Sequence, residues 1–227
     1  MVLEANSKVT WRDLQHLVAR NSKKISPSDN DWQKNGGGLY VNVRFGFGAL
    51  DTKALVAAAK GKWWRTAPPQ KVYHTQKQSI DMWKIPSDRK YILGEIKFNR
   101  KKAGSCITKL EHVHVVVTLR LARYGMGHYR GKHSITLLSP AGTFSDILRQ
   151  RKYDATSGRD AFVDFEFLTV FHWDEDPEGS WYIKVMDHSE TGPYWLPKVE
   201  FTWSLKFYGT CASKTRYPRN NDFSKSK

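Results

Sequence analysis

Leu110-Glu111-His112-Val113-His114-Val115-Val116-Val117-Thr118-Leu119-Arg120-Leu121 places an apolar side chain at every second position from Val113 to Leu121. Successive side chains of a strand point to opposite faces, so this alternation turns one face toward a core. The same period returns at Ile183 and Val185, and again at Phe201, Trp203, Leu205 and Phe207. Turn signals punctuate the runs: Ser139-Pro140-Ala141-Gly142, Ser157-Gly158 and Asp176-Pro177-Glu178-Gly179. Repeated short strands with such turns predict a mainly β fold, a jelly-roll β-sandwich, over residues 106–211. Its expected core is Val113, Val115, Val117, Leu119, Ile183, Val185, Trp203 and Leu205.

Upstream the period changes. Thr10 can cap a helix, Asp13 favours the dipole at its start, and Trp11, Leu14, Leu17 and Val18 recur at helical spacing. Pro27 falls in a loop running from Ser22 to Asn30. After Gly36-Gly37-Gly38, the residues Leu39, Val41, Val43, Phe45 and Phe47 alternate as a strand would, with Gly46 and Gly48 between the two Phe. Asp51 caps a second helix, Leu50 and Leu55 stand at staple positions, Ala54, Leu55, Ala58 and Ala59 form its apolar stripe, and Gly61 can end it. Pro68-Pro69 marks a boundary, and residues 92–98 read as a further strand. Residues 213–227 are polar and basic and read as a disordered tail.

The 227 residues fit one large domain or two small ones, and 40% hydrophobic content with 9 Trp, 10 Tyr and 11 Phe is enough for a core. No run approaches the roughly 18 apolar residues a membrane span needs, and Met1-Val2-Leu3-Glu4 does not open a signal-peptide pattern. The net charge is +15, and residues 60–109 hold thirteen Lys/Arg against three Asp/Glu. A basic surface or a polyanion partner both fit that excess; no nucleic-acid motif or stacking platform accompanies it. Cys106 and Cys211 permit one bridge at most. Without a signal peptide, a reducing compartment and two free thiols are expected.

Order and spacing of several motifs resemble the kexin/furin-like proprotein convertases. In residues 106–211 these are Leu110-Glu111-His112-Val113, Leu138-Ser139-Pro140-Ala141-Gly142-Thr143, Trp173-Asp174-Glu175-Asp176-Pro177-Glu178-Gly179-Ser180-Trp181 and Leu205-Lys206-Phe207-Tyr208-Gly209-Thr210, as in the P (Homo B) domain of that family. Leu3-Glu4-Ala5-Asn6, Thr10-Trp11-Arg12-Asp13-Leu14-Gln15-His16-Leu17, Asp31-Trp32, Asn35-Gly36 and Phe45-Gly46-Phe47-Gly48 resemble the end of its catalytic domain. Val41-Asn42-Val43-Arg44-Phe45-Gly46-Phe47-Gly48 looks nearest to the neuroendocrine convertases.

The resemblance implies residues 1–66 as an α/β fragment of a subtilisin-like domain and 67–212 as a P domain, with 67–105 a divergent approach to the matching 106–211. It implies a Ca²⁺-dependent serine endopeptidase that cleaves secretory precursor proteins after paired basic residues, by Ser-His-Asp chemistry, in the Golgi or secretory granule. The partners implied are the remainder of the catalytic domain and the precursors; neither nucleic acid nor a membrane span is expected. The family's Gly-Thr-Ser motif would lie just before Val2 and its other catalytic residues further upstream, so no residue here is assigned a catalytic, cofactor or metal role, and this chain alone is expected to be inactive. A stand-alone β-sandwich binding acidic ligands is the second reading.

Five residues remain structural or interaction candidates: Arg130, Gly131, Lys132, Cys106 and Cys211. Tyr129-Arg130-Gly131-Lys132 stands where most family members carry Arg-Gly-Asp, after extra residues around 125–128, so a role for that Asp does not transfer. Cys106 matches a family cysteine whose partner, expected near residues 71–75, is missing. His112 and His114 share one strand face, as ordinary surface residues or metal ligands. Asp174-Glu175-Asp176 forms either an acidic turn or a Ca²⁺ site. Ser139 and Ser145 read as turn residues.

Overall fold

The computed structural model describes residues 1–61, 66–80, 91–120, 130–156, 160–188 and 200–211. The chain opens with α1 (Val2–Ala5), α2 (Trp11–Asn21), the two-residue strands β1 (Ser22–Lys23), β2 (Gln33–Lys34), β3 (Tyr40–Val41) and β4 (Ala49–Leu50), and α3 (Thr52–Lys60). Then come β5 (Lys71–His74), β6 (Gln78–Ile80), β7 (Tyr91–Phe98), α4 (Arg100–Ala103) and β8 (Ile107–Arg120). A 3-10 turn, Arg130–Lys132, leads into β9 (His133–Leu138), β10 (Phe144–Leu148), β11 (Asp160–Thr169), β12 (Gly179–Asp187) and β13 (Glu200–Cys211).

Two antiparallel sheets form the sandwich. One runs β10-β9-β12-β7; the other runs β11-β8-β13-β5, with β6 also on β13. All eight expected core residues are buried between them, joined by Ile92, Ile96, Phe98, Leu110, Ile135, Leu137, Trp181, Phe201 and Phe207. The alternation was sufficient because both sheets expose one face, so period two reports burial directly. Leu121 and the Ser157-Gly158 turn lie outside the described residues, as do the residues of the expected tail.

The α2 start is a capping box: Asp13 N donates to Thr10 Oγ1 at 3.1 Å and Thr10 N to Asp13 Oδ2 at 2.9 Å. Leu14, Leu17 and Val18 of the expected stripe pack against Val9 and α3, but Trp11 does not join them. Trp11 is 72% exposed, whereas Asp13 and His16 are buried beside Leu17 and Ala19. At α3, Asp51 accepts from Ala54 N, and Leu55, Ala58 and Ala59 pack with Val9 and Leu17; Leu50, the expected staple, stays largely exposed.

The strand expected over Leu39–Phe47 is limited to Tyr40–Val41. The buried Asn42 side chain accepts from Arg44 N at 2.7 Å and Phe45 N at 3.2 Å, folding the chain back so that Asn42 pairs with Gly46. Gly46 has φ 58° and Gly48 φ 107°, values that need glycine. The alternation here is a tight turn and not an extended segment. Residues Ile92–Phe98, expected as a strand, lie within β7.

The expectation of two free thiols is overturned. Cys106 and Cys211 are joined by a disulfide with Cα atoms 4.9 Å apart, because the β8–β13 pairing sets Cys211 opposite Ile107.

Candidate functional site

The helices meet the sandwich at a buried polar junction that begins with an irregularity in β8. His112 pairs with Tyr208 and Leu110 with Gly209, so Glu111 has no partner across the ladder. That is a β-bulge, which re-aims a side chain out of the alternation. Gly209 makes it possible: a Cβ there would stand 2.8 Å from Ile107 Cγ2 and would run into Lys109 O. Freed from the ladder, Glu111 points at α2 and is only 1% exposed.

Three side chains converge on the Glu111 carboxylate. Arg12 donates through Nε to both oxygens at 3.0 Å and through its terminal nitrogen to Oε1 at 2.5 Å. Gln70 Nε2 donates to Oε2 at 2.5 Å. His16 Nε2 lies 2.9 Å from Oε1, while Arg20 lies 2.9 Å from His16 Nδ1. A guanidinium only donates, so Nδ1 accepts and the Nε2 proton is donated to Glu111. Burial pushes the Glu111 carboxyl up, but the hydrogen bonds from His16, Arg12 and Gln70 outweigh it and hold it at about 2.

A second pair completes the junction. Arg20 forks onto Asp174, Nε to Oδ2 at 2.9 Å and the terminal nitrogen to Oδ1 at 2.5 Å. Asp174 lies in the acidic turn, which is stitched to β8: Leu110 N donates to Glu175 O at 2.9 Å, and Asp174 N to Leu110 O at 2.7 Å. Glu175 Oε1 accepts from Gly36 N at 2.8 Å and from the Thr143 hydroxyl. The Asn35 amide donates to Phe171 O at 2.8 Å and Trp173 O at 2.9 Å. Gly37 must be glycine, since a Cβ would stand 2.7 Å from Asp174 Cβ. At the sandwich edge the Gln33 side-chain amide exchanges hydrogen bonds with Phe144, donating to its O at 2.5 Å and accepting from its N at 3.0 Å.

The acidic turn is therefore a connector. Asp174 is taken by Arg20, Glu175 by Gly36 and Thr143, and Asp176 by Arg100. Among the described residues no group of three or more His, Cys, Asp or Glu is placed to hold a metal. His112 and His114 stack on Tyr208, with ring centroids 4.3 and 4.7 Å from it, and His114 Nδ1 lies 3.0 Å from Glu166. Burial, then the charge of His114, pushes His112 down to about 4. Ser139 sits in the β9–β10 turn and accepts from Thr143 N; Ser145 lies within β10 and shares a hydrogen bond with Thr169 instead of a turn.

Arg130, Gly131 and Lys132 lie away from this junction, against the loop after β10. Arg130 Nε donates to Asp154 Oδ2 at 2.9 Å, and Arg151 shares that carboxylate at 2.6 Å, so the two guanidiniums hold Asp154 well below the usual carboxylate range. Gly131 N donates to Asp154 O at 3.1 Å and its O accepts from Arg151 N at 2.8 Å. Tyr129 and residues 125–128 lie outside the described residues. The sequence reading missed Arg12, His16, Arg20, Glu111 and Asp174 as one unit, although all but Arg20 fall inside a quoted motif. The signal was polar residues at positions where a helix and a strand should carry apolar ones.

The family described as proprotein convertase P-domain matches residues 110–207. Bovine furin is 39% identical over 216 residues, which is 92% of this chain and 24% of that protein. A PC3-like endoprotease (variant B) of Hydra vulgaris is 35% identical over 188 residues, 83% of this chain and 25% of that protein. The chain thus spans about a quarter of the length of the curated relatives it matches. A crystal structure of Aeromonas sobria serine protease with its chaperone superposes with TM-score 0.68 at 20% identity, covering 93% of this chain and 42% of that one. At that identity the likeness concerns the fold.

Proposed function

The chain belongs to the proprotein convertase family, whose P domain it carries, and from this we propose that its sandwich acts as the clamp that holds the closing helices of a subtilisin-like catalytic domain. On this reading residues 1–66 are the end of the catalytic domain and 67–212 the P domain. The whole protein is a serine endopeptidase of the secretory pathway that cleaves precursor proteins after paired basic residues. The observation that carries the reading is the buried junction, where Arg12 and Arg20 on α2 meet Glu111 and Asp174 on the sandwich.

The four charges cancel, two guanidiniums against two carboxylates, and every carboxylate oxygen accepts a hydrogen bond. Breaking one partner leaves the other buried and unpaired, at a cost of about 3–5 kcal/mol. Wrong docking is thereby penalised more than right docking is rewarded. The reading also accounts for the exposure of Met1, Leu3, Trp11 and Leu50 on the helical side, faces that the rest of a catalytic domain would cover. A stand-alone binding module has no use for a helix wedded to it by two buried ion pairs.

Calcium is implied for the family. The acidic turn does not fit it: Asp174 and Asp176 are held by Arg20 and Arg100, and Glu175 is turned inward, with Oε1 on Gly36 and Thr143 and Oε2 3.3 Å from the buried His172 ring. The reading is tested by replacing the matching part of bovine furin with this chain and assaying a fluorogenic dibasic substrate. Cleavage by the chimera, lost in its Glu111→Gln form and never seen with the isolated chain, is expected. A folded, secreted chimera without activity contradicts it, as does full activity after Glu111→Gln.

A further inference from the structure

Part of the basic excess of the segment before β8 lies at one end of the sandwich. Lys97 precedes the last residue of β7, and Lys101 and Lys102 lie on α4 directly after it. Arg100 donates to Ile107 O at 2.9 Å, which ties α4 to the start of β8. Lys71 pairs with Gly209 and Lys109 with Thr210, two positions and one position before Cys211 of the Cys106–Cys211 bridge. Tyr73 packs on Phe98 with ring centroids 5.1 Å apart, which brings β5 to the end of β7. The nearby carboxylates are engaged: Asp176 and Glu178 by Arg100, and Glu95, which shares the exposed face of β7 with Lys97, by the Tyr182 hydroxyl. Lys71, Lys97, Lys101 and Lys102 are exposed and, among the described residues, have no acidic partner.

We propose that this lysine-rich end of the sandwich is a docking surface for a sulfated polysaccharide. Four unneutralised ammonium groups on a rigid, disulfide-closed edge form an attractive field for a repeating polyanion. Lysines are point charges that suit sulfate without demanding one geometry. Two observations favour a glycan over a nucleic acid. The bridge beside the patch belongs to an oxidising compartment, where the polyanions met are sulfated glycans. Among the described residues of this end, Tyr73 and Phe98 are turned into the core, so neither offers the stacking face that single-stranded nucleic acids use. The surface is separate from the α2 junction and is independent of the function proposed above.

The test is heparin binding by the whole chain, measured by calorimetry across a salt series. The variant carrying Lys97→Glu, Lys101→Glu and Lys102→Glu is compared with a control of equal net charge carrying Lys8→Glu, Lys53→Glu and Lys60→Glu. The first is expected to lose at least about tenfold in affinity, with a salt slope smaller by about three, as counterion release predicts; the control stays within about twofold. Equal losses in both variants overturn the proposal, as does binding of single-stranded DNA as tight as that of heparin. A Lys→Gln set at the same three positions, with an unchanged melting temperature, separates lost binding from lost folding.

Discussion

Glu111 decides more than any other residue how this chain is put together. Because it is 1% exposed and faces Arg12, His16 and Gln70, Glu111→Gln should cost about 3 kcal/mol in urea unfolding, most of it the penalty of leaving Arg12 buried without a counter-charge. Replacing both partners, Glu111→Leu with Arg12→Met, should recover most of that loss, and a double-mutant cycle measures the coupling. Acid should act on two residues in sequence. His112 is held near 4 against an ordinary 6.5, so the unfolded chain binds the proton first and stability falls as pH drops from 6.5 toward 4. Glu111 is held near 2 against 4.5; its contribution is complete above 4.5 and disappears as pH falls through 2. Denaturant midpoints at pH 7.5, 4.5 and 2.5 should decline stepwise, and His112→Phe, which keeps a ring on Tyr208, should flatten the first step.

At the scale of elements the sandwich strands carry the fold. Val117→Asp places a carboxylate where β8 is 0% exposed, and a loss of about 4 kcal/mol or more is expected, seen as a collapsed thermal midpoint. Gly209→Val should be nearly as severe, because its side chain has no room beside Ile107 and the bulge that aims Glu111 cannot form. These strands were legible in the sequence because period two marks a half-buried face, kept by β12, by β8 from Val113 and by β13 as far as Phe207. The bulge was not legible: one extra residue in the ladder depends on the partner strand, which no local pattern reports. The Leu39–Phe47 alternation misled for a related reason. Asn42 offers the backbone a closer partner than any sheet does, and two glycines at positive φ take the turn. On α2 the apolar stripe held for Leu14, Leu17 and Val18 but not for Trp11, and it could not report that the helix also buries Asp13 and His16 on a polar face.

For the molecule as a whole, the disulfide and the junction are the two long-range ties. The bridge spans 105 residues of sequence, and removing it with Cys106→Ser and Cys211→Ser should cost about 4–5 kcal/mol by loop entropy, read as a lower urea midpoint that reductant also produces in the parent. Residues 1–66 expressed alone should give a poorly dispersed NMR spectrum, since α2 would lack the carboxylates its arginines need and its two-residue strands cannot stand alone. Which residues meet across the junction was beyond the sequence, since Arg12 and Glu111 are separated by 99 positions and no periodicity links them. The most direct test of the clamp is amide hydrogen exchange of Trp11–Asn21 in the parent and in the Glu111→Gln, Asp174→Asn double variant. Loss of protection across α2, with β8 and β13 still protected, is the predicted result. Unchanged protection of α2 in a folded double variant would contradict the clamp.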